Sequence, residues 1–173
     1  MVEKEQEMFE RQFTRVDTVR QYVDEMLKAC RDSEVMRCGF VHLYGVGQAC
    51  ALIALRRGHD REYAELAEIA GMLHDYATYK DDARENHAQY SSIRAREILM
   101  RTNEFTMEEI DMICQAIGRH SDKKQVHGEM DEILKDADVM QHWLRNPLEE
   151  YYFSQERVQK LVKEFQLASL NCN

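Results

Sequence analysis

His74 and Asp75 are adjacent, and both are ordinary metal ligands by their chemistry. Another histidine, His42, lies upstream and another aspartate, Asp138, downstream. All four sit in apolar, helix-like stretches: FVHLYGVGQACALIAL, EIAGMLHDYATYK and EILKDADVMQHWL. A polar group in a buried stripe needs a partner, because burying it unpaired costs roughly 2–7 kcal/mol. Taken singly, either histidine reads better as a hydrogen-bonded core residue. The ordered set favours one shared divalent cation, which would satisfy all four together. Two imidazoles and two carboxylates suit Mn, Fe, Co, Ni or Zn and leave positions open for water and substrate. The set contains no thiolate, which argues against a structural zinc site.

The elements that must position these groups are helical. One proline and seven glycines punctuate 173 residues, and no alternating β-branched run stands out. Val16, Val19, Tyr22, Val23, Met26 and Leu27 form the stripe of a first amphipathic helix. A second runs from about Val41 to Arg57, with Gly58 as its C-terminal cap. Asp60 caps a third, which carries Leu73 and His74. Neighbouring residues on a helix lie about 100° apart, so His74 and Asp75 can share an ion only near a helix end or with opposed rotamers. The helical pattern does break down after Tyr76, and TYKDDARENHAQ reads as a polar loop. A fourth helix opens near Ser91, and Thr106 with Glu109 forms a capping box for a fifth. HSDKKQVHGEMD is a second loop, a sixth helix spans about Glu132 to Leu144, and a last one about Glu149 to Leu170. The expectation is an all-α, single compact bundle of six or seven helices over residues 1–173, with the motif core at about 36–145.

Composition narrows the function classes. A chain 44% hydrophobic and 32% charged belongs to a soluble globular protein. Its net charge of −9 argues against a nucleic-acid polymer as partner, though not against a local basic pocket. Cys30, Cys38, Cys50, Cys114 and Cys172 include no C-x-x-C pair, which fits free thiols in a reducing cytoplasm. The acidic N-terminus is no secretory signal. No segment is expected to approach the ~20 apolar residues of a membrane span, so no membrane partner is expected.

The order His42, His74-Asp75, Asp138, within FVHLYGV, IAGMLHDYATYK and LKDADVMQHW, resembles the HD-domain superfamily of metal-dependent phosphohydrolases from roughly His42 through Trp143. The resemblance implies that His42, His74, Asp75 and Asp138 are metal ligands, and that the protein hydrolyses a phosphate ester or anhydride. It places His87 and His120 where members bind a second ion or contact substrate phosphate. A histidine that opens a helix, as His87 does, can equally well cap it or face solvent. Gly45 is a departure, since many members carry Arg at that point of an H-x-x-R-V segment. His59 and His127 match nothing in the pattern, and His142, one turn after Asp138, is placed to support it.

A bound divalent ion lowers the pKa of water and withdraws charge from a phosphoryl oxygen. Asp75 is the carboxylate best placed to orient or deprotonate that water. Cations near the motif are candidates for phosphate contact: Lys80 first, then Arg119, with Lys123 and Lys124 reading rather as a solvated loop. Tyr44, Tyr76 and Tyr79 flank the ligands and either stack on a nucleobase or pack the core. The expected substrate is a small nucleotide or related phosphorylated metabolite, with one ion bound and a second open. Two alternatives stand beside this one: a binuclear-iron oxygenase of the same superfamily, and a non-catalytic helical binding module.

Overall fold

A computed structural model describes residues 13–167, and among them nine helices follow one another with no strand. They are α1 Arg15–Lys28, α2 Ser33–Arg56, α3 Arg61–Leu73, α4 Tyr76–Asp81, α5 His87–Thr102, α6 Met107–Arg119, α7 Glu129–Arg145, α8 Glu150–Phe153 and α9 Glu156–Glu164. Seven of these have nine or more residues, as the periodicity implies, and the other two are the short α4 and α8.

The helix ends follow side-chain chemistry. Asp60 accepts from the Tyr63 N–H, and Thr106 and Glu109 close the expected capping box. Gly58, at φ 90°, follows the end of α2 in the backbone region that favours glycine. Thr14 and Asp17 form a further capping box on α1. The second helix starts earlier than its apolar stripe suggests, because Asp32 accepts from the N–H groups of Glu34 and Val35.

Two expected elements are corrected. The polar stretch after Asp75 is helical through Asp81, because Tyr76 and Ala77 are buried and the Ala77 N–H donates to the buried Ser91 hydroxyl at 3.1 Å. The single C-terminal helix is broken between α8 and α9, where the Ser154 hydroxyl donates to Tyr151 O at 3.0 Å and the Gln159 amide caps Phe153 O at 2.6 Å. Its expected continuation over residues 168–170 lies outside the described residues, as does Cys172. The other four cysteines are free, Cys50 and Cys114 buried, Cys30 and Cys38 half-buried.

Helices α2 and α3 pack backbone against backbone. A Cβ on Gly71 would lie 2.6 Å from Gly47 Cα, and one on Gly47 would lie 2.9 Å from Glu68 O. Only two glycines allow this approach, which brings the His42 and His74 rings to 5.0 Å between centroids. By length and composition α2 could cross a membrane, contrary to the expectation that no segment approaches one. In the fold its inner face, including Leu43, Val46, Cys50 and Ile53, is core.

Helix α7 runs through the interior, with Ile133, Leu134, Ala137 and Met140 in the main core. Two of its charged residues, Lys135 and Asp136, are buried and fully engaged. Lys135, fully buried, donates to Gln125 O and Glu132 Oε1, both at 2.8 Å, and its Nζ lies 2.6 Å from His127 Nδ1. Asp136 accepts from Arg57 at 2.7 Å and Arg157 at 2.6 Å. These contacts tie the loop before α7, the end of α2 and α9 to one helix, and so hold Asp138 in place.

Candidate metal centre

Helix α3 ends at Leu73, directly before the His-Asp pair. His74 keeps helical dihedrals, whereas Asp75 turns to φ −113°, ψ 19°, before α4 begins. This break answers the angular problem of adjacent ligands: His74 Nε2 and Asp75 Oδ2 face each other at 3.6 Å. His42 comes from the middle of α2 and Asp138 from the middle of α7. His42 Nε2 stands 3.7 Å from both Asp75 Oδ2 and Asp138 Oδ1, and His74 Nε2 stands 3.9 Å from Asp138 Oδ1.

These separations are too long for hydrogen bonds. They do match donors that surround one cation, since ligands at about 2.1 Å in a tetrahedron lie about 3.4 Å apart. His74 Nε2, Asp75 Oδ1 and Asp138 Oδ1 are buried and have no hydrogen-bond partner. Such atoms are costly inside a protein unless something satisfies them, so the residues fit a divalent ion.

The second carboxylate oxygen of Asp75 faces another pair. Its Oδ1 lies 3.4 Å from His120 Nε2 and 3.6 Å from His87 Nε2. Asp75 thus stands between two groups of candidate ligands: His42, His74 and Asp138 on one side, His87 and His120 on the other. His120 is buried, at the end of α6, and His87 is half-buried, at the start of α5.

All four histidines have the far ring nitrogen engaged. The Nδ1–H groups of His74, His87 and His120 donate to the carbonyls of Gly71 (2.7 Å), Arg84 (3.2 Å) and Ile117 (2.7 Å). His42 Nδ1 is 2.7 Å from Gln141 Oε1. A carbonyl only accepts, so each ring keeps its proton on Nδ1 and turns the Nε2 lone pair toward the centre.

Charge is balanced locally. Burial would raise the Asp138 carboxyl, but Lys123, His74 and His42 hold it well below the usual carboxylate range. Burial would likewise raise Asp75, and His74, His120 and His42 more than offset it. Burial pushes His74 down to about 4, so this ring is neutral and available at physiological pH. His42 is held above the ordinary histidine value, because Asp75, Asp138 and Gln141 outweigh its burial.

Lys123 is a residue that sequence reasoning misjudged. It is half-buried, not solvated, and donates to Asp138 Oδ2 at 2.6 Å and to His120 O at 2.7 Å. Its bond leaves Asp138 Oδ1 as the oxygen that faces the centre. Gln141 was missed, although it lies one turn after Asp138 and the spacing places both on one face of α7. His142 Nε2 lies 3.4 Å from Asp138 Oδ1, close enough to share an ion with His42 and Asp138, and its ring is stacked on Tyr152. His59, near Glu129, and His127, on Lys135, lie apart from the centre.

A pocket of about 160 Å³ opens beside His42 and Asp75, and its wall includes Val41, Tyr79, Gln141, His142, Arg37 and Arg145. Of the expected substrate contacts, Tyr79 lines it. Three others are corrected. Lys80 is exposed on α4 and is not part of the wall, because five helical residues from Asp75 turn it away. Arg119 pairs with the buried Asp131 at 3.6 Å. The Tyr44 hydroxyl donates to Asp24 Oδ1 at 2.6 Å, which commits the ring to the α1–α2 contact.

An all-α bundle that gathers histidines and aspartates from α2, the α3–α4 junction, α5, α6 and α7 defines a metal-dependent hydrolase superfamily. The HD domain family matches residues 39–143, more than half of the 173 residues, and the chain belongs to that family. No curated protein and no solved structure matches it.

Proposed function

We propose that the protein is a metal-dependent phosphohydrolase that cleaves a phosphate ester or anhydride of a small nucleotide or related phosphorylated metabolite. The observation that carries this reading is the convergence of His42 Nε2, His74 Nε2, Asp75 Oδ2 and Asp138 Oδ1, 3.6–3.9 Å apart, beside a pocket with two arginines in its wall. His42, His74, Asp75 and Asp138 would hold the ion, of Mn, Fe, Co, Ni or Zn. A divalent ion in this place supplies an acidified water and charge withdrawal from a phosphoryl oxygen. Asp75, ionised and central, would orient that water. His87 and His120 hold a second ion or steady a phosphate oxygen. Arg145 replaces Lys80 and Arg119 as the cation that receives substrate phosphate, with Tyr79 beside it and Arg37, paired with Glu34, in the same wall. The free thiols and the net charge of −9 support a cytoplasmic protein with a small-molecule substrate and no nucleic-acid partner.

The position of Asp75 between two histidine groups also suits the second reading, a binuclear-iron oxygenase. Elemental analysis of protein purified without chelator, followed by a nucleotide panel with phosphate detection, separates the two. Phosphate release that depends on Mn, Co or Ni supports the phosphohydrolase. About two irons per chain with O₂ consumption, and no phosphate release, overturns it.

A further inference from the structure

Three of the four histidines around Asp75 find their Nδ1 partner locally. His74, His87 and His120 each use the carbonyl three residues back, Gly71, Arg84 and Ile117, at or near a helix end. His42 has no such option. It lies in the interior of a 24-residue helix, where the preceding carbonyls already accept main-chain bonds. Its partner is a side chain from another helix, Gln141 of α7, at 2.7 Å. The Gln141 amide nitrogen donates to Val41 O at 3.5 Å, which assigns the oxygen end to His42. Gln141 is 8% exposed, so water does not readily replace it.

The path of Gln141 depends on Gly45. A Cβ on Gly45 would lie 2.9 Å from Gln141 Cγ, 3.3 Å from Nε2 and 3.5 Å from Cδ. Any side chain there would push Gln141 off the line to His42. Where many HD members carry Arg, this chain has the one residue type that leaves the amide its room.

We infer that Gln141 is a positioning residue that holds His42 in the Nδ1–H tautomer, and that Gly45 is glycine so that Gln141 can reach it. Without this acceptor the imidazole is free to place its proton on Nε2, the tautomer favoured by free histidine, and Nε2 then cannot bind a cation. The inference rests on the metal-site reading above and extends it to the two residues that make His42 a competent ligand. Because Asp138 and Gln141 lie one turn apart on α7, the same helix supplies one ligand and orients another.

The test uses the full chain, labelled with ¹⁵N-histidine and free of metal, with Mn²⁺ alone as the probe. Long-range ¹H–¹⁵N correlation, at a pH above the titration of His42, should show it as the Nδ1–H tautomer in the wild type. Gln141→Leu should shift it toward Nε2–H and weaken Mn²⁺ binding roughly 10–100-fold, the usual effect of losing a ligand's hydrogen-bond partner. Gln141→Glu, which keeps an acceptor, should retain both tautomer and affinity. Gly45→Ala should resemble Gln141→Leu, and the double variant should lose no more than either alone, since both break one contact. Unchanged Nδ1–H signals from His74 and His120 certify the fold, and if Gly45→Ala fails that check, the Leu and Glu variants at 141 decide. The inference is overturned if Gln141→Leu keeps the His42 tautomer and binds Mn²⁺ within twofold of wild type. Absence of any phosphohydrolase activity would sink the functional reading alone, because the tautomer is read without metal or substrate.

Discussion

His42 Nε2 and Asp138 Oδ1 face each other at 3.7 Å, from the middle of α2 and the middle of α7. At hydrogen-bond distance the two would satisfy one another, and at 3.7 Å they do not. The gap is held from behind. Gln141 fixes the far side of His42, and Lys123 holds the other oxygen of Asp138. Two groups so restrained can share a cation between them without moving.

Metal should therefore stabilise the fold. Free ion at 100 times its Kd contributes about 2.7 kcal/mol by mass action. Differential scanning calorimetry with and without Mn²⁺ should show Tm rise with metal concentration and fall on chelation. An unchanged Tm, with wild-type metal bound by no other assay, would count against the centre.

Asp75→Ala should remove both a ligand and the group that orients the water. Hydrolysis of the identified substrate should drop by at least the roughly 10²–10⁴-fold that a positioned base contributes, with metal content reduced in parallel. Wild-type turnover in this variant would place the chemistry elsewhere.

Arg145→Ala and Lys80→Ala should diverge. Loss of one charge-assisted phosphate contact forfeits about 1.5–3 kcal/mol, or roughly one to two decades in kcat/KM, and the exposure of Arg145 favours the lower end. Lys80, outside the pocket wall, should be silent. Kinetics of both variants on one substrate check this, and the reverse ranking would restore Lys80 as the phosphate contact.

Metal affinity should fall as pH drops through neutrality. The proton that competes is the one on His42 Nε2, whose pKa is raised by Asp75, Asp138 and Gln141 against the effect of burial. A raised pKa means the proton is already bound below that value, so binding weakens on acidification and is full above it. Asp75 and Asp138 remain ionised throughout this range, and His74 stays neutral down to about 4. Calorimetric titration of Mn²⁺ between pH 8 and 5.5 would read the effect, and a flat profile would remove His42 from the ligand set.

Gly71→Ala should destabilise the protein and disturb the carbonyl that holds His74. Its Cβ would meet Gly47 backbone at 2.6–2.7 Å, and backbone cannot step aside as a flexible side chain can. Overpacking of this kind costs about 1–3 kcal/mol, which lowers Tm by roughly 2–4 °C per kcal/mol in a chain of this size. Thermal unfolding checks it.

How much of this was legible beforehand varies with the range of the interaction involved. Asp60, Thr106 with Glu109, and Gly58 announce helix ends because capping is a contact over three or four residues. The helix at Tyr76–Asp81 was not legible, since its reason is the burial of Tyr76 and Ala77 against α5 and the Ser91 hydroxyl. Ser154 breaks the last helix by a local bond, but serine occurs in intact helices too, so its identity alone decides nothing.

The ligand set follows the same division. His42, His74, Asp75 and Asp138 stand in the chain in an order that chemistry and family pattern both recognise, so type and sequence position sufficed to single out four side chains that the fold brings together. Position in the chain could not say which cations face the pocket. Arg37 and Arg145 come from the near end of α2 and the far end of α7, and only the packing of those helices puts them in one wall, while Lys80, five residues from Asp75, turns away. Gln141 escaped notice and Lys123 was misjudged for the same reason: each acts on a residue of a different segment, and polar residues of their kinds are common on any helix or loop. Residue chemistry by itself determined the all-α class and the atoms able to bind a metal. Tertiary packing decided their tautomers, their spacing and the pocket's charge, because those depend on distances of a few ångströms between helices that no sequence interval encodes.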